Sequence, residues 1–163
     1  MAESIIINKD LSLEEQYKLL LKQAKSLVSK DDNILSGLAN LTALLNQTFD
    51  KISWAGFYLF DGEKLYLGPF QGSVACTNIE MGKGVCGTAA SKKETIIVPD
   101  VNKFSGHIFC DANSKSEIVI PVLKNEKLHS VLDLDSTEFD AFNNIDKKYL
   151  EELADFLSTK ILN

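Results

Sequence analysis

The chain has no cluster of basic residues, no long apolar run, no C-x-x-C pair and no tract dominated by proline, glycine or serine. Each absence removes a class of function. Seventeen Lys and Arg stand against 23 Asp and Glu, for a net charge of −6, whereas a nucleic-acid binder neutralises phosphates with clustered cations and gains affinity from counterion release. The apolar runs are short and broken by charge, well below the roughly 20 residues of a membrane-spanning helix. Met1 to Asp10 lacks the basic start, apolar middle and small-residue cleavage site of a secretory signal. The expectation is a cytoplasmic protein with neither nucleic acid nor membrane as a partner. In a reducing compartment three cysteines are not a permanent staple, and an odd number cannot all pair within one chain; free, metal-bound or redox-active thiols remain.

A length of 163 residues with 45% hydrophobic and 25% charged side chains suits one globular domain spanning 1–163, with 1–10 as an N-terminal extension. Ser12 and Glu15 form a capping-box pattern ahead of apolar residues at helical spacing, which predicts a helix from Ser12 to Lys30. A second helix, capped by Asp31 or Asp32, carries Ile34, Leu35, Leu38, Leu41, Leu44 and Leu45 and folds back on the first. Ile52 to Phe60 then reads as a strand, Asp61-Gly62 as a tight turn and Lys64 to Phe70 as the returning strand. Ser73 to Cys76 is a further strand candidate, and the glycines around Cys86 suggest a turn into a short helix over Thr88 to Lys93.

Thr95 to Val98 is strand-like until Pro99, and the stretch to Asn113 is an irregular loop holding His107 and Cys110. Glu117 to Leu123 and Leu128 to Asp135 form a hairpin, and a last helix covers about Asp146 to Ile161. The fold class is α+β, with a mostly antiparallel sheet of about six strands and one small inserted helix.

Alternation in Val131-Leu-Asp-Leu-Asp135 puts Asp133 and Asp135 on one sheet face and Leu132 and Leu134 on the other. The leucine face packs under the long helices; the acid face is either a solvated surface or part of a site. Trp54 and Tyr58 share a face of their strand, with Gly56 between them leaving room for something to lie against the sheet. Aromatic rings beside carboxylates suit an amine, although two such rings are also ordinary core residues.

Reactive thiols are partly exposed and close to groups that stabilise an anion. Cys110 lies in a loop, Cys86 in a glycine-flanked turn at a helix start, and Cys76 at a strand end. Zinc held by the three cysteines with His107 is disfavoured by gaps of nine and 23 residues between successive thiols. His107 and His129 receive no catalytic assignment, and His129 is expected at the sheet edge. Gly82, Gly84 and Gly87 lack the Lys-Ser/Thr ending of a phosphate loop, so nucleotide binding is not supported.

The segments Trp54-Ala-Gly-Phe-Tyr58, Leu67-Gly-Pro-Phe-Gln-Gly-Ser-Val-Ala-Cys76, Gly82-Lys-Gly-Val-Cys-Gly87, Ile108-Phe-Cys-Asp111, Ser116-Glu-Ile-Val-Ile-Pro121 and Val131-Leu-Asp-Leu-Asp135 together resemble the free methionine-R-sulfoxide reductases, a family of single GAF domains. The resemblance runs from about Gln16 to Leu162. It implies a GAF-like central antiparallel sheet with N- and C-terminal helices on one face and a loop-covered pocket on the other. It implies that Cys110 is the catalytic thiol, that Cys86 and Cys76 resolve the oxidised enzyme, and that Glu117, Asp133 and Asp135 hold the substrate beside Trp54 and Tyr58. Glu117 is also expected to protonate the sulfoxide oxygen, which makes it a catalytic group. The implied reaction forms a sulfenic acid and then a disulfide that thioredoxin, or a similar dithiol, reduces, with no bound cofactor or metal. A homodimer is a family-level expectation. Whether Cys76 or Cys86 pairs with Cys110 is open, because pairing needs Cα atoms within about 7 Å. The competing functions are a GAF module that senses a small ligand or redox state without turnover, and a zinc-stabilised interaction protein.

Overall fold

The computed structural model describes residues 4–29, 31, 33–108 and 110–160. Helices α1 (Leu13–Leu27) and α2 (Ile34–Thr48) lead into strands β1 (Trp54–Phe60), β2 (Lys64–Gln71) and β3 (Asn78–Glu80). Helix α3 (Gly84–Lys92), strand β4 (Ile96–Val98) and one 3₁₀ turn (Val101–Lys103) follow, then β5 (Ser116–Lys124), β6 (Lys127–Ser136) and α4 (Asn144–Lys160). The six strands form one antiparallel sheet in the order β3-β2-β1-β6-β5-β4.

The caps show why the helices start where they do. The Glu15 N–H donates to Ser12 Oγ at 3.3 Å while Glu15 Oε2 accepts from the Ser12 N–H at 3.0 Å, closing the expected capping box. Helix α2 is capped instead by Asn33, whose Oδ1 accepts from the Leu35 N–H at 2.9 Å; Asp31 stands in the turn before it, and Asp32 lies outside the described residues. Helix α4 starts two residues before Asp146, where Asn143 Oδ1 accepts from the Ile145 N–H and Asp146 Oδ2 accepts from the Asn143 N–H, both at 2.8 Å. The expected end at Ile161 is outside the described residues, as are Met1 to Glu3 of the N-terminal segment. Ile5 and Ile7 of that segment pack against the helix-side core, and Lys9 pairs with Asp50 at 2.6 Å.

Two other expectations are corrected. Ser73 to Cys76 forms no strand: the chain turns at Gly72 (φ 126°) and regains the ladder only at Asn78. Helix α3 begins at Gly84, four residues before Thr88, because the glycines read as a turn serve close approach within its first turn. A Cβ on Gly87 would overlap the Glu80 carbonyl, so only glycine lets α3 sit on the end of β3.

The sheet divides two cores. On the helix side Ala55, Phe57, Ile118, Ile120, Leu132 and Leu134 pack under α1, α2 and α4. Leu132 and Leu134 are fully buried, each contributing about 1.5–3 kcal/mol of transfer free energy. On the other side Trp54, Tyr58, Val119 and Val131 pack against Val85, Cys86, Ala89 and Ala90 of α3. Asp146 ties the helix layer to the start of β1, accepting from Tyr17 Oη and Lys51 Nζ, each at 2.7 Å. His129 sits near the start of β6, an interior strand, and not at a sheet edge.

Candidate active site

Strand register assembles the site. Across β1, β6 and β5, Trp54 pairs with Asp135, and Asp135 with Glu117. Gly56, Asp133 and Val119 form the next row on the same face. Period-2 alternation therefore brings three carboxyl groups from distant parts of the chain onto one patch of sheet. That patch is not solvated. Glu117 and Asp133 are each only 5% exposed, because α3 and the loop between the 3₁₀ turn and β5 cover them. The resulting pocket is lined by Trp54, Tyr58, Cys86, Cys110 and the three acids, with His107, Ile108 and Ser114 from the loop.

The space left by Gly56 is filled from within the chain: the Trp54 ring lies over it, stacked on Phe70 at 5.4 Å and on Tyr58 at 5.9 Å between centroids. The polar tips of the two aromatic residues hold the segment leading to Cys76. Trp54 Nε1 donates to the Ser73 carbonyl at 3.0 Å and Tyr58 Oη to the Cys76 carbonyl at 3.1 Å. Both residues are thus pocket wall and loop anchor.

The structure pairs Cys76 with Cys110 in a disulfide, their Cα atoms 5.3 Å apart, and leaves Cys86 as a buried free thiol. Cys86 sits on the pocket floor at the start of α3, its Sγ 3.9 Å from Glu117 Oε1. Two sulfurs joined to one another and a third beside the carboxyls do not converge as a three-cysteine zinc site.

Burial raises every acid in this cluster above its ordinary range. Desolvation pushes Asp133 and Glu117 up, and the charge of Asp135 reinforces both. Asp135 is pushed up to about 6 by desolvation, opposed by the hydrogen bond that Ser114 Oγ donates to it and by His107. Desolvation likewise drives the Cys86 thiol up, with Asp133 and Glu117 adding to it, so Cys86 stays protonated and is a poor nucleophile. Asp133 Oδ1 is buried with no hydrogen-bond partner among the described residues, an acceptor aimed into the pocket where a ligand donor would satisfy it. One atom each from Cys86, Glu117 and Asp133 lie within 4.8 Å of one another. Burial favours the protonated form of all three, which suits them to share protons.

Two contacts went unread in the sequence. His107 Nε2 lies 3.4 Å from Glu117 Oε2, both side chains 7% exposed, and Ser114 fixes Asp135. Both belong to an irregular loop, where no periodicity reveals which residues turn inward.

A sequence profile of the GAF domain matches residues 38–161. The free methionine-R-sulfoxide reductase of Saccharomyces cerevisiae is 43% identical over 165 aligned residues, which cover 96% of this chain and 92% of that protein. The chain belongs to the free methionine-R-sulfoxide reductase family of GAF domains. The Escherichia coli free methionine-R-sulfoxide reductase is 44% identical over 139 residues, covering 85% and 84% of the two chains. The X-ray structure of the reductase from Neisseria meningitidis, in complex with its substrate, superposes with a TM-score of 0.89 at 39% identity over 95% of this chain and 94% of that one. The GAF profile begins inside α2, so every acid, thiol and aromatic residue of the pocket falls within the matched part of this family member.

Proposed function

We propose that the protein reduces free L-methionine-R-sulfoxide to methionine by thiol chemistry. The observation that carries this is that Cys110, paired with Cys76, lines one pocket together with Glu117, Asp133 and Asp135, in a chain of this reductase family. In the reduced protein the Cys110 thiolate attacks the sulfoxide sulfur. Glu117, protonated because it is buried beside two other acids, gives its proton to the sulfoxide oxygen. The attack makes a bond between Cys110 Sγ and the substrate sulfur; the oxygen then passes to Cys110 Sγ as that bond and the substrate's sulfur–oxygen bond both break, so that methionine leaves and Cys110 becomes a sulfenic acid. The Cys76 thiol condenses with it, releasing water and forming the disulfide. A thioredoxin-type dithiol then restores both thiols by exchange. The two electrons come from the thiols, so no bound cofactor is invoked.

Asp133 and Asp135 suit the substrate's ammonium group, which peptide-bound methionine lacks. Asp133 Oδ1 is an unsatisfied acceptor, and a cation would draw the proton off Asp135. Trp54 and Tyr58 wall the methyl group and the aliphatic chain. Selection of the R epimer rests on family membership. Cys86 serves as a second thiol near the oxidised site, in addition to Cys76. The chain acts as one GAF unit, with 1–10 as its extension, in the cytoplasm and as a homodimer.

The test is methionine release from free methionine-R-sulfoxide with a thioredoxin system. Turnover supports the enzyme; binding without product shows a small-molecule sensor instead.

A further inference from the structure

We propose that His107 is a positioning residue for Glu117, so that the loop carrying the Cys110 nucleophile also sets the orientation of the proton donor. This rests on the reduction reading above. Glu117 is flanked at both oxygens from different elements: Oε1 accepts from Cys86 Sγ of α3 at 3.9 Å, and Oε2 lies 3.4 Å from His107 Nε2 of the loop. Hydrogen bonds of catalytic groups are often long before substrate binds and tighten in the complex. The loop turns at Gly106 (φ 78°), and the His107 N–H donates to the Phe104 carbonyl at 3.2 Å, which directs the ring onto the sheet. Three residues later the same segment delivers Cys110.

The surroundings of Glu117 single out this histidine. Cys86 comes from α3, Asp133 and Asp135 from β6, and Tyr58 from β1. All four are acids or neutral hydroxyl and thiol groups; among the described residues of the pocket His107 is the lone base. Burial pushes its imidazole below the usual range, Asp135 opposing, so we treat the contact as one with a neutral ring and not as an ion pair. A neutral ring nitrogen accepts from a protonated carboxyl and favours that form, which is the form a proton donor needs. A mere packing tie between loop and sheet would not affect the protonation of Glu117.

The reduced full-length chain is compared with His107→Gln, which keeps a polar atom within reach of Glu117, and His107→Leu, which fills the space without one. The Glu117 carboxyl is titrated by ¹³C NMR, and single-turnover methionine release is followed against pH. His107→Leu is expected to lower the Glu117 midpoint by about one pH unit and to move the falling, alkaline limb of the rate profile downward by the same amount. His107→Gln should restore both, and substrate affinity should change little. If His107→Leu does not fold, His107→Asn, polar but too short to reach Glu117, takes its place. An unmoved midpoint, or equal behaviour of the Gln and Leu variants, overturns the inference. Wild-type protein that titrates as expected yet releases no methionine overturns the reduction reading instead, so the two failures are distinguishable.

Discussion

Asp135→Asn should make the protein more stable above pH 6 while impairing its function. Asp135 is held at about 6 against an ordinary 3.8, a gap of 6 − 3.8, or about two units, worth about 3 kcal/mol. The folded state holds this proton more tightly than the unfolded chain. Its stabilising contribution of about 3 kcal/mol is therefore complete below pH 3.8 and is lost as pH rises to about 6, where the half-buried carboxyl ionises. Asn is neutral throughout and keeps an oxygen to accept from Ser114 Oγ; it removes the Asp135 titration and also the charge that reinforces the raised Asp133 and Glu117. Its advantage over wild type should be near zero at pH 4 and reach about 3 kcal/mol at pH 8, or roughly 6–12 °C in Tm for a chain of this size. Urea unfolding from pH 4 to 8, with the disulfide intact in both proteins, reads the difference directly. Equal stability at pH 8, or parallel pH slopes, would refute the assignment of a buried carboxyl whose charge opposes folding.

Cys110→Ser should release no methionine even in one turnover, whereas Cys76→Ser should release one equivalent and then recycle only as slowly as the buried, protonated Cys86 thiol allows; mass spectrometry of the oxidised thiol checks which cysteine carried the oxygen. Reducing the disulfide, which spans 34 residues of sequence, should lower stability by about 4 kcal/mol on the chain-entropy estimate, read by denaturant unfolding with and without reductant; unchanged midpoints would count against that pairing. Asp146→Ala leaves Tyr17 and Lys51 without their shared acceptor and should cost about 3–5 kcal/mol, against about 1–2 kcal/mol for Tyr17→Phe, both from urea melts. Methionine sulfoxide with its amine acylated should be reduced at least tenfold less well than the free amino acid, because it offers no cation to Asp133 and Asp135; equal rates in the methionine-release assay would remove the ammonium from the argument.

Regular structure was readable where a period governs it. The alternation of Leu132, Asp133, Leu134 and Asp135 told the two faces apart, and the capping box at Ser12 marked a helix start. Less was legible where the chemistry depends on close approach or on loops. Gly87 looks like a turn residue but serves to admit the Glu80 carbonyl, which moved the start of α3. In the sequence Gly56 reads as space for a ligand, but Trp54 fills it. By alternation alone the acid face suits water as well as a site, and its burial depends on α3 and a loop that come from elsewhere in the chain. His107 and Ser114 were not assignable, since residues 104–115 follow no repeating geometry and their inward turns are decided by backbone hydrogen bonds and Gly106.

The Cys76–Cys110 bond also has a mechanical consequence. Cys76 lies in the segment entering β3 and Cys110 in the segment leaving β4, and these strands are the opposite margins of the six-stranded sheet. The bridge works as a clasp, tying a segment beside one margin to a segment beside the other with a link that a dithiol can undo. One covalent link therefore restrains both margins of the sheet at once, although they are the two strands farthest apart in its order.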